Sequence, residues 1–339
     1  MQQATEPTPE QWQQAAADFW AAWQGEEDAL SALDGEAFVN RGNEILNEYM
    51  DGVVLELIGD PQSGSLVFSA NGIIEHFPKV QIVTDLACSE RYPCVAFRQR
   101  MTDFASNFAI GMRDFSLSAQ QIAMACEVGR GLVDLRLAFT EEIAPSFVEH
   151  AQNMSFIMLD HLLGEWDFAV KIGVVEFVDR AENMLPLDRL PEVLDRMWRE
   201  DLGHDGLFPE PEWQYASYEW EEDEEQDALF MTRNESATRL LGRADMAWCV
   251  TAECEIPDKE TLEQALEWED AWCAHIEPLQ IGIAALSVLN SSRGVRNVHM
   301  YGHDVAAMVK AAQQTLANFP DLNVDISAEY DPTWAWYRI

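Results

Sequence analysis

The tightest group of titratable rings in the sequence lies in the stretch 299–303 (HMYGH). Residues two apart in a strand point to the same face, so alternation predicts that His299 and Tyr301 share a face, with His303 if the strand continues. Two histidines and the neighbouring Asp304 could begin a zinc site, which needs three or four ligands. Because no ligand beyond these is identifiable, we interpret these residues as a weak polar cluster and expect no metal or other cofactor.

A second set of potential ligands falls in a helix predicted over residues 146–163. The pairs Glu149-His150 and Asp160-His161 are eleven residues apart, about three helical turns, so both pairs face the same way. Carboxylate-bridged metal centres in helical bundles use Glu-x-x-His spacing, which is missing here. We therefore interpret these pairs as a polar helix face, with a metal site as the alternative.

Five consecutive acidic residues occupy positions 221–225 (EEDEE). Calcium loops interleave their acidic ligands with glycine and backbone carbonyl ligands, a pattern that this run lacks. The run is flanked by two segments of strand character, 213–220 and 228–232. It therefore favours a solvated hairpin tip over a calcium site.

The fourth candidate is the aromatic segment 331–337 (DPTWAWY). Pro332 predicts an extended turn, and Trp334 and Tyr337 project to opposite sides if the segment is extended. One interpretation is that these rings and Trp336 seal the edge of a sheet. The other is that Trp334, Trp336 and Tyr337 are an interaction surface, because Trp and Tyr dominate binding hot spots.

The elements that would position these residues follow the order strand, helix, strand, strand, helix, strand. Asp258 is placed to cap the first of the two helices, whose buried face should carry Leu262, Ala265, Leu266, Trp272 and Ile276. This order buries one face of a sheet under two helices, which predicts a ferredoxin-like arrangement. The predicted elements are 246–255, 259–277, 280–289, 295–301, 303–318 and 323–330.

With its closing Asp331-Pro332-x-Trp334-x-x-Tyr337, this part of the chain resembles a bacterial family known as domain of unknown function 695. The resemblance covers roughly 213–339. It implies an α+β domain and brings no catalytic residues to carry over. The N-terminal part is not assigned to a family.

The N-terminal part is predicted as a second α+β domain. Its first helix carries an aromatic stripe (Trp12, Phe19, Trp20 and Trp23) at helical spacing, typical of core. Two units with the order hairpin, helix, strand then follow, and the second is predicted to end in a long strand over 166–178. We place the domain boundary in the segment 202–211, which gives domains of 1–204 and 205–339.

Composition limits the classes of function. The net charge of −39 is spread over both halves and repels phosphate and anionic lipid, so we expect no direct nucleic-acid or membrane binding. The acidity fits either solubility in a salty cytoplasm or docking on a basic partner. The polar first residues lack a secretion signal, and the six scattered cysteines fit reduced thiols, so we expect a cytoplasmic protein.

The sequence contains no Walker loop, no GxGxxG after a strand, no GxSxG elbow and no HExxH. We therefore predict an acidic, soluble bacterial protein that is a non-enzymatic protein-binding or regulatory module, with a protein partner for which a basic surface is one option. A homo-oligomer stays open. The alternative is a hydrolase or metal-dependent enzyme with an unfamiliar site between the domains.

Overall fold

The computed structural model describes residues 9–101, 108–112, 115–179, 184–222 and 225–338, and these form a mixed α+β protein, as predicted. The helices are α1 Pro9–Leu30, α2 Gly35–Asn47, α3 Phe77–Asp85, α4 Val148–Leu163, α5 Glu165–Lys171, α6 Leu190–Arg196, α7 Lys259–Ile276 and α8 Val305–Leu316. The strands are β1 Val54–Ile58, β2 Ser65–Ser69, β3 Cys94–Ala96, β4 Ala109–Met112, β5 Phe115–Ser118, β6 Ile122–Gly129, β7 Leu132–Phe139, β8 Ile172–Phe177, β9 Leu185–Pro186, β10 Trp213–Glu222, β11 Glu225–Asn234, β12 Trp248–Glu255, β13 Gly282–Asn290, β14 Val295–Gly302 and β15 Val324–Tyr330.

Backbone contacts divide the chain into two compact units. Unit 1 contains Met1–Glu127 and Asp134–Leu194, and unit 2 contains Val128–Val133 and Asp195–Ile339. The expected linker, 202–211, has no helix or strand. Its His204 is nevertheless buried, and His204 Nε2 lies 3.3 Å from the Gly131 carbonyl oxygen. The domain boundary at 204/205 stays a prediction.

Unit 1 is built on aromatic residues of its first two helices. The side chains of Phe19, Trp20 and Trp23 on α1 are at most 2% exposed and contact one another edge to face or at a tilt. Asp34 caps α2 by accepting a hydrogen bond from the Ala37 N–H at 2.9 Å. Three of the four aromatic residues predicted as a stripe are therefore core, and Trp12 is half-buried.

Three small sheets complete unit 1. Their strand orders are β1-β2-β3, β4-β5 and β8-β7-β6-β9. The hairpin β1–β2 is followed by α3 and then by β3, which pairs parallel with β2. The hairpin β6–β7 is followed by α4, α5 and β8, and β8 lies beside β7. In both sets of elements, the last strand therefore lies beside the second strand of the hairpin: β3 beside β2, and β8 beside β7.

The long strand predicted over 166–178 is wrong in its first half, because Glu165–Lys171 forms helix α5 before strand β8 begins. Gly164 separates α4 from α5 with φ of 77°, a left-handed conformation that glycine adopts without strain. A Cβ at this position would lie 2.8 Å from the Arg98 carbonyl oxygen. The apolar run 166–178 therefore changes from helix to strand at residue 172.

Unit 2 contains one six-stranded sheet with the order β10-β11-β13-β14-β12-β15, in which every neighbouring pair is antiparallel. One face is covered by α7 and α8. The core between them is completed by alternate residues of the central strands, among them Val250, Ala252, Val298 and Met300. The hairpin β10–β11 extends this sheet beyond the strands that the two helices cover. Residues 223–224 at the predicted acidic tip lie outside the described residues.

Helix α7 begins as the sequence predicts, because Asp258 accepts a hydrogen bond from the Thr261 N–H at 2.8 Å. Its predicted buried face is partly wrong. Leu266 is 42% exposed, whereas Trp268 is fully buried and donates from Nε1 to Thr315 Oγ1 of α8 at 3.0 Å. The buried stripe follows 265, 268, 272 and 276, so Leu266 lies outside it.

The segment 331–337 forms turns, so the extended form in which Trp334 and Tyr337 would point to opposite sides is not adopted. Trp334 has φ of 51°, and its ring folds back onto the sheet, where it is fully buried. Tyr337 is 1% exposed and meets the Trp334 ring edge to face at 5.6 Å. The two rings therefore lie together and do not project to opposite sides.

Within the described ranges, no helix is both long enough and apolar enough to cross a bilayer.

Candidate functional site

The sheet face opposite α7 and α8 carries a cluster of titratable residues, Cys249, His299 and Tyr301. The pairing of β12 with β14 places Thr251 opposite His299 and Cys249 opposite Tyr301. Thr251 Oγ1 lies 3.0 Å from His299 Nδ1, and Cys249 Sγ lies 3.9 Å from the same nitrogen. Strand alternation therefore places His299 and Tyr301 on one face, as the sequence predicts.

Burial keeps these groups neutral. It raises the pKa of the Cys249 thiol to about 12, and it lowers the pKa of His299 to about 4. A nucleophilic cysteine needs its thiolate, and a partner histidine stabilises that thiolate best as a cation. Near neutral pH neither charged form is populated. The Cys249–His299 pair is therefore built as a neutral hydrogen-bonding group, although its residue types match those of cysteine hydrolases.

Tyr301 connects this cluster to the C-terminal turn. Its hydroxyl donates to Asp331 Oδ2 at 2.6 Å, and its ring stacks on Trp334 with 4.1 Å between centroids. Tyr301 is fully buried and Asp331 is 8% exposed. Burial and the nearby Cys249 and Asp331 raise the pKa of Tyr301, so its hydroxyl keeps its proton and acts as a donor.

The turn is attached to the rest of unit 2 through polar atoms of its aromatic rings. Trp334 Nε1 donates to the Met246 carbonyl oxygen at 2.8 Å. The Tyr337 hydroxyl lies 2.9 Å from the Asn234 carbonyl oxygen, and the Arg233 guanidinium lies 4.2 Å above the Tyr337 ring. Because both rings are buried, this geometry favours the sealing interpretation for Trp334 and Tyr337.

Trp336 is placed differently from the other two rings of the turn. It is 43% exposed, stacks on His299 with 5.1 Å between ring centroids, and donates from Nε1 to Glu329. Of the three residues predicted as an interaction surface, Trp336 alone presents a large part of its ring to solvent. Its role in binding stays a prediction.

His303 lies beyond the end of β14 and is exposed. Its backbone N–H donates to the Ile281 carbonyl oxygen. The strand therefore does not continue far enough to place His303 beside His299. Across the part of the chain that the structure describes, no three His, Cys, Asp or Glu side chains come together in a way that could hold a metal ion.

The carboxylate–histidine pairs of α4 have separate environments. Glu149 and His150 are exposed, whereas Asp160 is paired with the Arg98 guanidinium. Arg98 Nε also donates to Glu56 at 2.7 Å, and Arg98 Nη2 donates to Ser69 Oγ at 2.9 Å. Although burial raises the pKa of Asp160, this carboxylate is engaged in linking α4 to the loop after β3.

Among the described side chains of unit 2, the aromatic ones with the highest exposed fractions lie on the hairpin β10–β11. Tyr215 is 78% exposed, Tyr218 is 59% exposed and Phe230 is 44% exposed. Thr232 is opposite Tyr215 on one side and opposite Ser287 on the other, and Ser287 donates to Glu269 of α7. Tyr215 therefore lies on the face that carries α7, and so does Phe230, which is two positions from Thr232. The sequence indicates the strands but not this exposure, since alternating aromatic residues are equally typical of a covered sheet.

Comparison with known families gives one match. Residues 226–338 match the family of unknown function DUF695, and the N-terminal part has no family assignment, as the closing motif predicts. No curated protein and no solved structure matches the chain.

Proposed function

We propose that unit 2, whose residues 226–338 carry the match to a family of unknown function, is a protein-binding module for a basic partner. The observation that carries this proposal is the hairpin β10–β11, which exposes Tyr215, Tyr218 and Phe230 beside acidic residues. Exposed aromatic rings of this kind are the side chains that anchor protein interfaces.

The fold that we propose for unit 2 is a ferredoxin-like arrangement extended by this hairpin. Support comes from the order β13-β14-β12-β15 and from the helices α7 and α8, which connect β12 to β13 and β14 to β15. The hairpin adds β11 next to β13 and β10 outside it. Trp213 of β10 packs against the core under the helices, whereas Tyr215 and Phe230 on the same face are exposed.

Electrostatics supports a basic partner. Arginines of unit 2 are engaged with its own acids: Arg239 with Asp205 at 2.6 Å, Arg243 with Asp245 at 2.5 Å, and Arg296 at 2.7 Å from the buried Glu269. The exposed charge that remains available to a partner is therefore mainly negative. Such a surface attracts a cationic protein and repels phosphate and anionic lipid.

The buried cluster around Cys249 supports a binding role over a hydrolytic one. Its thiol, imidazole and phenol are held in their neutral forms, and the Tyr301 hydroxyl donates a hydrogen bond to Asp331. These hydrogen bonds attach the C-terminal turn to the sheet. This attachment supports a stabilising role for the cluster.

Salt-dependent capture tests the proposal. The full chain is immobilised, exposed to cell lysate at about 50 mM and about 500 mM salt, and compared with the double variant Tyr215→Ser/Phe230→Ser, which removes two exposed rings from one face. Leu279→Ser is the matched control, because Leu279 is 68% exposed but lies after α7, outside the hairpin.

We expect a defined basic protein to be retained at low salt by the wild type and by Leu279→Ser, to be released at high salt, and to be lost with the double variant. Equal retention by all three forms at both salt concentrations would contradict a binding role for the hairpin. A stoichiometric transition metal found by elemental mass spectrometry would instead favour an enzyme.

A further inference from the structure

The outer strand of the sheet, β10, is long and pairs on one side. All ten of its residues, Trp213–Glu222, are in register with β11, and no described strand pairs with its other edge. An unpaired strand edge presents a row of N–H and C=O groups that can accept a further strand. The length of β10 exceeds the five or six residues of an average strand.

The hydrogen bonds at one end of the hairpin identify the groups at this free edge. The Glu235 N–H donates to the Glu212 carbonyl oxygen at 2.8 Å, which makes the opposed residues 212 and 235 a hydrogen-bonded pair. Bonded and non-bonded pairs alternate along an antiparallel ladder. Gln214, Ala216 and Tyr218 therefore bond to β11, and the backbone groups of residues 215, 217 and 219 face outward.

The pairing of β11 with β13 supports the same assignment. The Ser291 N–H donates to the Ala228 carbonyl oxygen at 3.0 Å, so Ala228 bonds toward β13. Its partner on β10 is Glu219, which is therefore in a non-bonded pair with β11. Two independent hydrogen bonds thus place the Tyr215, Ser217 and Glu219 backbone groups at the free edge.

Side chains near this edge favour a particular occupant. Tyr215 and Tyr218 project to opposite faces of β10 and are 78% and 59% exposed, so an added strand could pack against an aromatic ring on either face. Glu210, Glu212 and Glu219 are exposed at the two ends of the edge. A second copy of this chain would bring the same acids and a net charge of −39, whereas a cationic segment would be attracted.

We propose that the free edge of β10 binds an extended lysine- or arginine-rich segment of a partner protein as a seventh strand of the sheet. This inference rests on the proposed binding function and specifies its site and mode. Main-chain hydrogen bonds to residues 215, 217 and 219 would provide affinity, and the acidic and aromatic side chains would select the segment.

The test uses Ser217→Pro in the full chain. Proline removes the outward N–H of residue 217 without removing a ladder bond to β11, which is the position that sheets tolerate for proline. Ser217→Thr is the matched control, because it keeps the N–H and favours a strand. The probe is a blocked, fluorescent nonamer of alternating lysine and valine, and its binding is measured by anisotropy.

We expect the probe to bind the wild type and Ser217→Thr equally, and Ser217→Pro at least tenfold more weakly at unchanged melting temperature. Hydrogen exchange of the amides of Tyr215, Ser217 and Glu219 should slow in the wild-type complex. A probe N-methylated at every internal residue keeps its charge but loses the N–H donors of both edges, so it should also bind at least tenfold more weakly, whether or not Ser217→Pro folds.

Equal binding of both probes to the wild type, or no binding of either, would overturn the strand-addition proposal. Capture of a basic protein from lysate would still support the proposed function in that case, since side-chain charges alone could mediate it. Loss of salt-dependent capture, by contrast, would remove the proposed function itself.

Discussion

The buried ion pair between Glu269 of α7 and Arg296 of β14 gives a quantitative test of how unit 2 is held together. Glu269 is 7% exposed and Arg296 is 5% exposed. Arg296 donates from Nε at 3.1 Å and from Nη2 at 2.7 Å to Glu269 Oε2, and Ser287 donates to the other oxygen. The carboxylate therefore has partners on both oxygens in a site with little access to water.

Arg296→Met removes the cation and leaves the carboxylate buried. We expect a loss of about 3–5 kcal/mol in the free energy of unfolding, because an uncompensated charge stays in a low-dielectric site. The double variant Glu269→Gln/Arg296→Met removes both charges and keeps an acceptor for Ser287. It should be more stable than Arg296→Met by about 1–3 kcal/mol, since residues in direct contact are not additive.

Native-state hydrogen exchange of the slowest amides of β13 and β14 measures this free energy for unit 2 itself. Arg239→Met is the control, because its ion pair with Asp205 at 2.6 Å is exposed to solvent and should contribute little to stability. If the loss of stability in the double variant equals the sum of the losses in Glu269→Gln and Arg296→Met, the charge-burial reasoning is wrong.

Three further predictions concern the buried cluster. Tyr301→Phe should lower the stability of unit 2 by about 1.5–3 kcal/mol in urea, because Asp331 loses a 2.6 Å hydrogen bond. His299 has a pKa of about 4 in the folded protein and 6.5 as its ordinary value, so the unfolded state binds more protons between these values. Stability should therefore be lost as pH falls from 6.5 to 4, by up to about 3 kcal/mol relative to His299→Gln. In thiol titration, exposed Cys88 should react rapidly, and Cys249 should react only on unfolding.

Each of these predictions has a clear contradicting result. An unchanged urea midpoint for Tyr301→Phe would show that the Asp331 contact does not stabilise the turn. Identical pH profiles for the wild type and His299→Gln would exclude His299 as a source of acid sensitivity. Rapid modification of Cys249 in the folded protein would mean that solvent reaches the cluster.

Local sequence signals predicted the elements of unit 2 well. Asp258 before an amphipathic stretch identified the start of α7, and the turn residues 290–294 identified the hairpin β13–β14. The helix over 165–171 was missed because Glu165 is fixed by tertiary contacts: its carboxylate accepts from the N–H groups of Ala70 at 2.8 Å and Gly72 at 2.9 Å. Neither partner is near in sequence.

The site was less accessible to sequence reasoning than the fold. His299 and Tyr301 were grouped correctly by strand alternation, but their partners Cys249 and Asp331 depend on the pairing of β12 with β14 and on the turn after β15. A register between distant strands has no local signature. Pro332 indicated a turn, but whether this turn is extended or folds back depends on burial of the Trp334 ring against Tyr301, which has no local signature.

The attachment of Trp334 and Tyr337 also determines when unit 2 can finish folding during synthesis. Trp334 bonds to a carbonyl oxygen 88 residues earlier in the chain, and Tyr337 bonds to one 103 residues earlier. At about 5–20 residues per second, a ribosome takes roughly 4–18 s to cover the first of these distances. Tyr301 is made only 33 residues before Trp334, so the sheet face bearing Cys249 and Tyr301 lacks its aromatic cover for roughly the last 2–7 s of that interval.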